Sequence, residues 1–149
     1  FIAYEKGRYD ESLEGFKKLG WNKALDSKIA IKAQDLYLDI LNIQKKYESL
    51  MNSSFELVKM SQDGDRKSKL EKIYRESFFS HATELQTQGK LEESASLYEK
   101  FYQENMKSNL ADKALWNLTQ IYIKQSKLHL AADKSLEYYQ LFPKAENAK

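Results

Sequence analysis

Apolar residues in this chain recur at helical intervals, interrupted by short polar links. Residues 114–143, ALWNLTQIYIKQSKLHLAADKSLEYYQLFP, hold two such runs. In the first, Leu115, Leu118, Thr119 and Tyr122 stand at i, i+3, i+4 and i+7, which places them on one side of an α-helix. The same offsets recur upstream in Phe78, His81, Ala82 and Leu85, and in Gln34, Tyr37, Leu38 and Leu41. The second run begins at Leu128 and continues through Ala131, Ser135 and Tyr138, again on one helix face. Three further segments keep that spacing: Tyr9, Ser12, Phe16, Leu19; Tyr47, Leu50, Ser54, Leu57; and Leu91, Ser94, Tyr98, Phe101. Several of these positions are small, which lets another backbone approach closely.

The links repeat as well. Gly7-Arg8-Tyr9, Lys45-Lys46-Tyr47, Gly89-Lys90-Leu91 and Ser126-Lys127-Leu128 each end on a large apolar residue, and successive anchors lie 38, 44 and 37 residues apart. Acids follow the first three anchors, at Asp10 and Glu11, Glu48, and Glu92 and Glu93, where they complement the partial positive charge of a helix N-terminus. This pattern predicts eight helices: 1–6, 9–19, 25–44, 47–61, 66–88, 91–106, 110–125 and 128–142. Asp65 and Asn109 are the expected N-caps, Asp63-Gly64-Asp65 the expected break between units, and Pro143, the only proline, ends the last helix.

With the links aligned, residues 114–143 resemble a tetratricopeptide repeat. Leu115, Leu118 and Tyr122 fill the family's large positions, Ser126 the turn glycine's place, Ala131 the small position of the second helix and Pro143 the terminal proline. Phe78, Ala82, Gly89, Ser94 and Tyr98 match within residues 75–106. Thr119 and Leu38 depart from the family's glycine, and Ser135 and Tyr138 look like an exchanged large-small pair. The resemblance implies an all-α fold: an α-α superhelix, a right-handed solenoid of antiparallel helix pairs. It would be a single array over residues 1–149, with a partial unit at 1–20 and helix pairs at 24–61, 66–106 and 109–143. The long, aromatic-rich units also resemble repeat proteins of Gram-negative bacterial envelopes, which favours periplasm or cell envelope over cytoplasm. A chain that opens on Phe1-Ile2-Ala3-Tyr4, without methionine, reads as a segment of a longer protein with further repeats upstream.

Composition supports a folded helical chain: 42% hydrophobic and 31% charged residues, five glycines and one proline leave little turn punctuation for an all-β fold. A net charge of +2, with acids and bases interleaved as in DRKSKLEKIYRE, gives no basic stripe for nucleic acid. The absence of cysteine excludes disulfides and thiol chemistry, and no apolar run reaches the ~20 residues of a membrane span.

Candidate chemistry is thin. His81, with Glu84 three residues on, is too small a set for zinc and reads as a satisfied, partly buried histidine; His129 reads as exposed. Asp35 and Asp39 fit a solvated helix face. Asn52-Ser53-Ser54 and Asn117-Leu118-Thr119 match the glycosylation acceptor pattern but fall within predicted helices. No phosphate loop or nucleophile motif occurs. The expectation is a protein that is not an enzyme and holds no cofactor or metal.

In the resembled family, first helices line a concave groove. That resemblance implies a partner-binding face at Lys113, Trp116, Asn117, Gln120 and Lys124, joined by Phe79 among Glu76, Thr83, Gln86 and Thr87. Lys32, Asp35, Asp39 and Asn42 are the corresponding residues of the second unit, and the two aspartates do not suit a clamp for a C-terminal carboxylate. A large anchor, amides and two cations suit a peptide or protein partner with acidic groups. The alternative is a structural spacer within a larger envelope protein or multidomain enzyme.

Overall fold

The computed structural model describes the backbone of residues 2–146 and the side chains of residues 7–146. These residues are all-α: α1 (Ile2–Gly20), α2 (Ser27–Ile43), α3 (Tyr47–Met60), α4 (Gly64–Thr87), α5 (Leu91–Glu104), α6 (Ala111–Lys124) and α7 (Leu128–Leu141), with no strand. Two compact units divide the chain, Phe1–Leu70 and Glu71–Lys149, and the boundary falls inside α4. Consecutive helices pack together: α1 on α2 and α2 on α3 in the first unit, α5 on α6 and α6 on α7 in the second. No helix among the described residues is long and apolar enough to cross a membrane.

Three of the four aligned links are the same turn. Lys45, Gly89 and Ser126 adopt left-handed backbone with φ of 54°, 78° and 58°. The lysines after them, Lys46, Lys90 and Lys127, share φ near −80° and ψ of 67°, 65° and 60°. Each of these lysine N–H groups donates back across the helix end, to Leu41 O at 2.9 Å, Leu85 O at 2.9 Å and Tyr122 O at 2.8 Å. Each lysine carbonyl then accepts the first bond of the next helix, from Leu50, Ser94 and Ala131. This Schellman-type ending satisfies carbonyls that a helix terminus leaves open. It also explains the sequence pattern: glycine takes the left-handed position without strain, while Lys45 and Ser126 take it at a steric cost.

The fourth link does not turn. Gly7 lies inside α1 without a positive φ, so the predicted helices 1–6 and 9–19 are one helix and seven elements replace eight. Glycine permits the left-handed turn but does not impose it, and here the backbone bonds continue through it. The side chains of residues 1–6 lie outside the described residues. Two predicted caps also move by a residue or two. Asp63, not Asp65, caps α4, its carboxylate accepting from Asp65 N at 2.8 Å and Arg66 N at 3.1 Å. At α6 the N-cap position is Leu110 rather than Asn109, and no side chain caps it. Asp26 caps α2 through Lys28 N at 2.8 Å.

In the first unit, the end of α1 is pressed against α2 at a glycine. A Cβ on buried Gly20 would stand 2.9 Å from Gln34 Cγ and 3.1 Å from Gln34 N. The close approach lets Gln34 Nε2 donate to Gly20 O at 2.7 Å, while its Oε1 accepts from Arg66 Nη2 at 2.8 Å. Arg66 Nη1 reaches Asp35 at 2.8 Å. Three helices are thereby joined through one buried amide, beside the edge-on Trp21–Tyr37 ring pair.

In the second unit the core is aromatic. Phe78 of α4 meets Phe101 of α5 edge-on at 5.5 Å, and both are buried. Ser94, at a small position, lets α5 approach closely enough for its hydroxyl to donate to Ala82 O at 2.7 Å. Ala111, Ala114, Leu115, Leu118 and Ile121 bury one face of α6. The exchanged pair in α7 is resolved by Tyr138, which is buried where Ser135 is only half-buried.

Lys134 of α7 bridges Glu99 of α5 at 3.8 Å and Glu137 at 3.1 Å. Tyr102 and Tyr122 adjoin these carboxylates. Burial, then Glu137, pushes the Tyr102 hydroxyl up to about 12, and burial, then Glu104, does the same to Tyr74. A phenol with a raised folded pKa contributes stability below its unfolded value of about 10, lost as pH climbs to the folded value. Stability is therefore expected to fall between pH 10 and about 12, with tyrosinate absorbance appearing together with loss of helix. Tyrosinate absorbance that saturates near pH 10 with the helices intact would contradict it.

Candidate interaction surface

Trp116, Asn117, Gln120 and Lys124 follow Lys113 at steps of three, four, seven and eleven, so all five share one side of α6. The opposite side is held down by Leu115, Leu118, Thr119 and Tyr122. Lys113 and Lys124 are exposed at the two ends, and neither has an ion-pair partner among the described residues. Trp116, Asn117 and Gln120 between them are half-buried.

Asn117 is fixed by a hub centred on Tyr98, which the sequence places on the packing stripe of α5. Its Nδ2 donates to the Tyr98 hydroxyl at 3.1 Å. That hydroxyl also lies 2.8 Å from Thr83 Oγ1 and donates to Gln86 Oε1 at 3.1 Å. The Tyr98 ring is fully buried with Phe79 edge-on at 5.5 Å, and Phe79 also meets Phe101 at 5.8 Å. Burial raises the Tyr98 pKa, while the Thr83 and Asn117 hydrogen bonds partly offset it, so the phenol stays neutral. One neutral hydroxyl thus orients side chains from α4 and α6.

Of the six predicted contact residues, Phe79 and Asn117 meet at Tyr98. Trp116 leans the other way, its ring 5.4 Å from that of Tyr138, which in turn touches Tyr139 and Phe142. Its indole is accordingly part of the α6–α7 packing as well as of the surface. Among the described residues Gln120, Lys113 and Lys124 take part in no such network. Thr83 and Gln86, expected on the same face as Phe79, do join the hub.

Sequence reasoning missed the role of Tyr98 because a tyrosine on a packing stripe gives no sign of where its hydroxyl ends. It also missed the Gln34–Arg66 junction, though an amide at a core position was a visible signal. His81 differs from expectation in one respect: Nδ1 is buried without a hydrogen bond, with Glu84 Oε2 at 3.6 Å. His129 is exposed as expected. In both glycosylation patterns the hydroxyl residue is sequestered, since Ser54 and Thr119 are buried and bond to Leu50 O and Leu115 O within their helices, although Asn52 itself is exposed. Among the described residues no group of three or more potential metal ligands occurs. Compared with known proteins, the chain matches no family model and no curated protein.

Proposed function

We propose that this chain is a non-catalytic protein-interaction module, its helix pairs stacked as a right-handed solenoid of the tetratricopeptide kind. The thrice-repeated Schellman turn and the packing of consecutive helices support the repeat reading. The observation that carries the binding reading is the outer face of α6. There an amide oriented by Tyr98 and a half-buried indole sit between two exposed, unpaired lysines. Preorganised amides can bond a peptide backbone at little entropic cost, and rim cations steer acidic partners. The partner is a peptide or protein with acidic groups rather than nucleic acid.

The competing reading is a spacer within a larger protein, and one observation favours it: the ring of Trp116 packs against that of Tyr138. The two readings part on charge. Because Trp116→Ala would also disturb packing, the clean variant is Lys113→Glu with Lys124→Glu, both exposed. On the binding reading, the variant keeps its circular dichroism and loses about ten-fold or more in affinity for a protein captured by the wild type from native lysate. Equal capture by both removes the α6 face as the binding site. No specific capture by the wild type favours the spacer.

A further inference from the structure

Away from the α6 face, the second unit holds a cavity of about 610 Å³ between Arg75 of α4 and the 103–109 segment that ends α5 and leads into α6. Its volume is within the ~300–1,000 Å³ common for small-molecule sites. Arg75 is half-buried and, among the described residues, has no ion-pair or hydrogen-bond partner for its guanidinium. Among the described residues Lys107 across the cavity also has no ion-pair partner, and the side-chain amides of Gln103 and Asn109 have no hydrogen-bond partner. Glu104 is the one acid in the wall, and it is already engaged, 3.4 Å from the Tyr74 hydroxyl and 4.0 Å from Lys100 Nζ. The guanidinium lines the cavity rather than being sealed in the core, so an anion can reach it.

We propose that this cavity binds a phosphate group carried on a small polar ligand. A guanidinium fork, an ammonium and two amides offer more donors than the two oxygens of a carboxylate can accept, whereas a phosphate presents three or more oxygens. The remaining volume, with half-exposed Met106 on its wall, takes the body of the ligand. This site is independent of the α6 interaction face and stands or falls separately.

The test is titration of the intact, isotope-labelled chain with inorganic phosphate at constant ionic strength, with acetate as the parallel arm. Saturable amide shifts confined to residues 103–109 and the Arg75 side chain are expected for phosphate. Apparent affinity should drop at least about ten-fold in Arg75→Gln. Lys107→Gln, in an exposed loop, should weaken binding without changing helix content. Three results overturn the proposal: non-saturating shifts, a wild-type response in both variants, or an equal response to acetate. Because Lys107→Gln leaves the helices untouched, misfolding of the Arg75 variant would not shield the idea.

Discussion

Replacing Tyr98 by alanine is expected to destabilise the second unit by about 3–5 kcal/mol, as large aromatic truncations in cores do. The ring is fully buried and packs edge-on against Phe79, so its removal opens a cavity at the meeting of α4, α5 and α6. Tyr98→Phe separates the two roles of the residue. It keeps the ring and deletes only the hydroxyl, so the expected cost is about 1 kcal/mol, because half-exposed Asn117 and Gln86 can turn to water. The phenylalanine variant should nevertheless free the Asn117 amide and weaken partner binding at the α6 face. Chemical denaturation of the two variants, with Asn117 side-chain amide exchange by NMR, measures both effects. A phenylalanine variant that leaves Asn117 protection unchanged would falsify the hub.

The second large effect is expected at the junction of the first unit. Gly20→Ala places a methyl 3.1 Å from the Gln34 backbone nitrogen, which cannot swing aside as a side chain could. Overpacking of this kind costs about 1–3 kcal/mol, or a fall of roughly 2–12 °C in melting temperature for a chain of this size. The shift also pulls Gln34 from Gly20 O and disturbs the amide that Arg66 holds. Arg66→Ala and Gly20→Ala should therefore be non-additive: once one has loosened Gln34, the other loses less. A double-mutant cycle reads the coupling directly. Strict additivity would show that Gln34 does not link the three helices.

Much of this could be read from the residues because the information is local. A left-handed residue, a lysine and an apolar anchor make the same turn at Lys45, Gly89 and Ser126 because the hydrogen bonds that close it come from within a few residues. The stripes at Leu115 to Tyr122 and Leu91 to Phe101 were legible for the same reason: helical periodicity alone puts those side chains together. Gly7 shows where local information fails. Its glycine-base-tyrosine signature matches the other links, yet α1 runs straight through it. Glycine admits both backbone states, and only surrounding contacts choose between them.

By itself, then, the order of residues determined the helical class, the places of three turns and the buried stripes of α2, α4 and α6, all of which depend on neighbours a few positions away. Only the tertiary structure decided which polar atoms meet. Tyr98 reaches Asn117, Gln34 is held between Gly20 and Arg66, Trp116 folds onto Tyr138, and Arg75 meets no anion among the described residues. These outcomes turn on the packing of separate helices to within an ångström. A hydrogen bond is made or lost over that distance, whereas a hydrophobic stripe tolerates it.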